Sequence, residues 1–110
     1  MSKRPDKYLI DILMSIELIE EFIPAEYSFF EYLNDRKTSS AVERHLGIIG
    51  EAVNKYDKLN VENSLKNTKQ IISLRNRIIH SYDSIDDNII WGAIKKDLPL
   101  LKKEVQKLLK

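Results

Sequence analysis

The stretch YLIDILMSIELIEEFIP, residues 8–24, decides the fold class. Leu9, Ile12, Leu13, Ile16, Ile19, Phe22 and Ile23 recur at threes and fours, with Asp11, Glu17, Glu20 and Glu21 between them. That period belongs to an α-helix with one apolar face; a half-buried strand would alternate at every second residue. The helix opens near Pro5–Asp6 and stops at Pro24, because proline suits a first helical turn and cannot continue a last one.

Outward from this segment the helical period persists. SFFEYL, residues 28–33, is an apolar cluster sufficient for one or two helical turns. A second long helix is predicted from about Arg36 to Leu59, with Val42, Leu46, Ile49, Val53 and Tyr56 on one stripe. Within it, Ser40 and Glu43 have capping-box spacing. Gly47 and Gly50 would weaken an isolated helix, so they predict close approach by a neighbouring one. The polar run from Asp57 to Ser64 reads as a loop, and a third helix covers roughly Lys66 to Tyr82. The fourth starts after Ser84, with Ile90, Ile94, Leu98, Leu101, Val105 and Leu108 in register, and Pro99 should kink it. No repeat or low-complexity tract interrupts the pattern. The expected fold is an all-α four-helix bundle, one domain over residues 1–110, with a short extra helix after the first and a Pro-kinked last helix.

Composition narrows the function classes. Of the 110 residues, 43% are hydrophobic and 32% charged, which excludes a disordered chain. No apolar run approaches a membrane span, and the start MSKRPDKYLID lacks the apolar stretch of a signal peptide. The absence of cysteine removes disulfides and thiolate metal sites and fits a reducing cytoplasm. The net charge of +1 is unevenly spread: residues 1–35 are acidic and residues 95–110 basic. Such asymmetry suits either a basic surface for a polyanion or ordinary decoration of solvated helix faces.

The exceptional segment is RNRIIHSYD, residues 75–83. On an ideal wheel of about 100° per residue, Ile71, Ile72, Leu74, Ile78, Ile79 and Ile85 fall in an arc centred near Arg75, and Tyr82 lies about 20° from it. A guanidinium on an apolar stripe needs a partner, unless that face borders a cleft where an anion can arrive; snorkelling along the stripe is the ordinary alternative. His80 lies about 140° from Arg75, near Asn76, which could orient its imidazole. One straight helix would not aim both at a single atom. The helix must bend or end near Asp83 and Ser84, or a second subunit must complete the site.

Other chemistry finds no pattern. His45 flanks the core stripe and reads as structural, and neither it nor His80 has a metal-ligand spacing with nearby acids. Asp86–Asp87 reads as helix N-terminal charge. The GxxG at residues 47–50 lies inside a helix.

The spacing Arg75-x4-His80-x-Tyr82 resembles the R-x4-H-x-Y motif of HepT-like ribonuclease toxins of the HEPN superfamily. AVERHLGIIGEAV, residues 41–53, is similar to the second-helix signature of that group, and SIDDNIIWGAIKKDLPLLKKEV, residues 84–105, to its last helix. Asn76 matches the polar residue common after the arginine. The linker departs: NVENSLKNTKQ, residues 60–70, replaces a Pro–Trp pair frequent in relatives, and Ser81 stands where glycine is common.

The resemblance implies a metal-independent endoribonuclease without a cofactor, its motif lining a groove between two identical subunits of a homodimer or higher oligomer. RNA supplies its own nucleophile, the 2′-hydroxyl. His80 would then act as acid or base, with the choice open, and Arg75 would stabilise the phosphate. Asn76 would position one of these groups, and Arg77 with the C-terminal lysines would hold backbone phosphates. The resemblance also implies a minimal nucleotidyltransferase antitoxin of the MntA type that attaches AMP to Tyr82. A non-catalytic HEPN dimer that docks such a partner is the alternative.

Overall fold

The stripe that defines the first helix is buried as a unit: Leu9, Ile12, Ile16, Ile19 and Ile23 all lie in the core. In the computed structural model, which describes residues 5–59, 62, 64–80 and 85–109, this helix is α1 (Pro5–Phe22). It is followed by α2 (Phe29–Leu33), α3 (Arg36–Lys58), α4 (Lys69–His80) and α5 (Asp87–Gly92). A π-helical turn, Ala93–Asp97, then joins α5 to α6 (Leu98–Leu109). No strand occurs among the described residues. The long helices α1 and α3 pack on each other, α6 packs on α1, and α4 packs on α3. This is the all-α bundle that the periodicity predicts, short extra helix included.

Two details differ from expectation, each for a local reason. Ser40 does not cap α3. Asp35 does, accepting from the Thr38 amide at 3.1 Å and the Thr38 hydroxyl at 2.6 Å, while the Tyr27 hydroxyl donates to it at 2.7 Å. Those bonds hold the Asp35 carboxyl below the usual carboxylate range, Thr38 contributing most. The capping box belongs to α2, where Ser28 and Glu31 exchange bonds of 3.1 and 2.9 Å.

The start of α4 is also later than predicted. Glu104 of α6 accepts from the Lys66 amide, the Asn67 amide and the Asn67 side chain, at 2.9, 2.9 and 3.0 Å. These residues form a bend and turn ahead of the helix, and α4 begins only at Lys69.

Pro99 is expected to kink the last helix, and the helix departs from α winding just before it. Upstream of it the chain widens into the π-turn, where the Leu98 amide donates to the Ala93 carbonyl five residues back. The extra residue has a packing use. Ideal winding would set Ile90 and Leu98 about 80° apart, whereas absorbing one residue brings them to about 20°. Both are buried. On α5, Asp86 caps the helix through the Asn88 amide at 2.8 Å, and Asp87 lies in its first turn, as expected of helix N-terminal charge. Trp91 then fixes α2 against α5, with ring centroids 5.5 Å from both Phe29 and Tyr32 and the Lys95 ammonium 4.9 Å from its own centroid.

Candidate active site

Glycine decides how closely α3 and α4 approach. At Gly50 an added Cβ would fall 2.6 Å from Arg75 Cγ and closer still to Arg75 Cβ, so the stem of Arg75 lies directly on the α3 backbone. Gly47 has nothing within 4 Å of the same construction. The close approach expected of both glycines is therefore made at Gly50 alone.

With its stem on Gly50, Arg75 reaches across to α3. One terminal amino group, Nη2, donates to Glu51 Oε1, and the other, Nη1, donates to Asn76 Oδ1 at 3.1 Å. The side chain is only 20% exposed, and its Nε is buried with no hydrogen-bond partner. Arg75 thus has the partner that burial demands. It does not occupy the middle of the buried arc: Ile71 and Leu74 on one flank are buried, while Ile79 on the other is 45% exposed. Arg75 stands at the border between core and solvent.

That border opens on a groove of about 460 Å³ lined by Tyr8 of α1, by Arg44, Gly47, Ile48 and Glu51 of α3, and by Ile79 of α4. Lys7 and Lys55 stand at its rim, paired with Asp11 at 2.9 Å and with Glu51 at 3.9 Å.

His80, the last residue of α4, is exposed, and no hydrogen bond joins it to Arg75 or Asn76. Within one chain, then, a hydrogen bond joins Arg75 to Asn76 and none joins either to His80. Arg77 is exposed. Tyr82, with Ser81, Asp83 and Ser84, lies outside the described residues.

Glu51 is the site residue that the motif did not reveal. Its signal was indirect: an arginine on an apolar face requires a carboxylate, and Glu51 follows the one glycine that lets α4 approach. His45 packs among residues of α1. Its Nδ1 lies 3.4 Å from the Ser15 hydroxyl, its ring packs 5.9 Å from Phe22, and burial followed by the Arg44 charge pushes its pKa down. Among the described residues no group of three or more His, Cys, Asp or Glu could hold a metal ion, and no helix is long and apolar enough to cross a membrane.

The model of the family described as "Ribonuclease HepT-like" matches residues 12–108. The chain belongs to this ribonuclease family. It is 38% identical over 116 residues to a protein of Thermococcus cleftensis named "Probable ribonuclease HepT", covering all of both chains. To a presumed RNase of Methanocaldococcus jannaschii it is 38% identical, covering 96% of this chain and 98% of the other. A presumed RNase of Caldanaerobacter subterraneus subsp. tengcongensis is 35% identical, with 97% and 96% covered. No solved structure gives a significant match.

Proposed function

We propose that this chain is the cytoplasmic toxin of a toxin–antitoxin pair, a homodimeric endoribonuclease that needs neither metal nor cofactor. One observation carries the reading: a largely buried guanidinium, Arg75, is held by Glu51, which lines a groove, with an exposed imidazole, His80, at the end of the same helix.

The chemistry needs one base and one acid. A base removes the proton of the RNA 2′-hydroxyl, and the oxygen attacks the adjacent phosphorus. The bond to the 5′-oxygen breaks, and an acid protonates that leaving oxygen, giving a 2′,3′-cyclic phosphate and a free 5′-hydroxyl. Imidazole suits either proton transfer, with an unperturbed pKa of about 6.5. Arg75 stabilises the charge that gathers on the phosphate oxygens, a role suited to a planar donor fork. Asn76 steadies the guanidinium, and Arg77 with the lysines of α6 holds flanking phosphates.

A two-fold dimer gathers Arg75 of one copy and His80 of the other around one phosphate. Ile48 and Ile79, 37% and 45% exposed beside Glu51, give such an interface an apolar patch. Tyr82, two residues beyond His80 in the chain, is the point at which an MntA-like nucleotidyltransferase adds AMP, placing negative charge where RNA phosphate binds.

The test incubates the purified protein with total RNA, with and without chelator, beside Arg75→Ala and His80→Ala. Cleavage is expected to persist in chelator and to fall at least about 100-fold in each variant. A requirement for added metal, or full activity in His80→Ala, would overturn the mechanism. A wild-type protein that binds a nucleotidyltransferase and cuts no RNA would restore the docking-dimer reading. Tyr82→Phe should keep its cleavage and escape silencing by the nucleotidyltransferase with ATP.

A further inference from the structure

The Arg75 side chain is held at both ends. Gly50 admits the stem, while Glu51 and Asn76 each take one terminal amino group of the head. Asn76 is neutral, so the counter-charge for a guanidinium only 20% exposed comes from Glu51. Glu51 is itself 44% exposed and lines the groove, with its second oxygen 3.9 Å from Lys55 Nζ.

A guanidinium carries five N–H donors. Glu51 and Asn76 engage one terminal nitrogen each, which leaves a second N–H on both terminal nitrogens. A phosphate can therefore bind while both bonds remain.

We propose that Glu51 is a positioning residue of the ribonuclease site: its carboxylate neutralises and aims the Arg75 guanidinium before RNA arrives and stays bonded to it during cleavage. This rests on the reading of Arg75 as the phosphate-binding group. A free arginine would have to be immobilised at each turnover, whereas a tethered one meets the phosphate already oriented.

Glu51→Ala and Glu51→Gln separate this role from others. Glutamine keeps an oxygen that can accept from Nη2, whereas alanine removes it. On a single-stranded RNA oligonucleotide carrying a fluorophore and quencher, Glu51→Ala should lose about 10–100-fold in kcat with KM changed less than about threefold. Glu51→Gln should recover to within about tenfold of the wild type. In ¹⁵N spectra of the arginine side chains at low temperature, the Arg75 amino protons should stay separate in the wild-type and Gln proteins and merge in the Ala protein.

Wild-type kcat in Glu51→Ala, with unchanged Arg75 signals, would remove the role. A several-fold fall of KM in both variants would instead make Glu51 a competitor of RNA and overturn the proposal. If the wild-type protein cuts no RNA, the ribonuclease reading fails, and the Arg75 spectra alone then decide whether the tether exists.

Discussion

Gly50 and Gly47 stand three residues apart on one helix and should respond oppositely to the same substitution. At Gly50 a methyl group meets the root of the Arg75 side chain, where no rotamer change provides room, so the helices themselves must part. Gly50→Ala should lower stability by about 1–3 kcal/mol, as overpacking does, and reduce RNA cleavage by displacing Arg75. At Gly47 the methyl group meets nothing, and the gain in helix propensity of about 0.5–1 kcal/mol should appear as stabilisation. Urea denaturation of the two variants checks both signs. Equal effects would mean that the helix contact at Gly50 is not the tight point.

Among the elements, α4 depends most on a residue far from it in sequence. Glu104 satisfies both backbone amides at the entry to the helix, where orphan donors would otherwise remain. Glu104→Ala should cost about 1–3 kcal/mol, the range for hydrogen bonds to a charged group, and should speed amide exchange at Lys66 and Asn67. Unchanged exchange at those amides would show that the carboxylate does not hold this entry. The same element shows what a sequence can carry. The body of each helix was legible, because an apolar stripe such as Leu9-Ile12-Ile16-Ile19 repeats its signal every turn. Helix starts were less so: Ser28–Glu31 and Ser40–Glu43 share one spacing, and only the first acts as a cap. Arg75, Asn76 and His80 announced themselves through a motif on one helix. Glu51 did not, since it is one of 17 acidic residues and its meaning comes from a partner 24 positions away.

For the whole molecule, the separation of His80 from Arg75 makes assembly a measurable requirement. If each site pairs Arg75 of one copy with His80 of the other, mixing the inactive Arg75→Ala and His80→Ala proteins should restore about a quarter of wild-type activity, because half of the dimers then hold one intact site of two. A mixture as inactive as its components would confine each site to a single copy. Ile79→Asp should abolish that complementation by charging the exposed apolar patch, and sedimentation should report monomer. The wide turn before Pro99 carries a consequence of its own. The last helix runs in two angular frames, Trp91 facing the α2 aromatics in one and Leu101 facing the core in the other, with a single spare residue as the spacer between them. Shortening Ala93–Asp97 by one residue would restore ideal winding and keep Ile90 and Leu98 about 20° apart, whereas lengthening it by one would swing Trp91 by about 100° out of its cage. The segment can thus give up its spare residue but has no place for a second one.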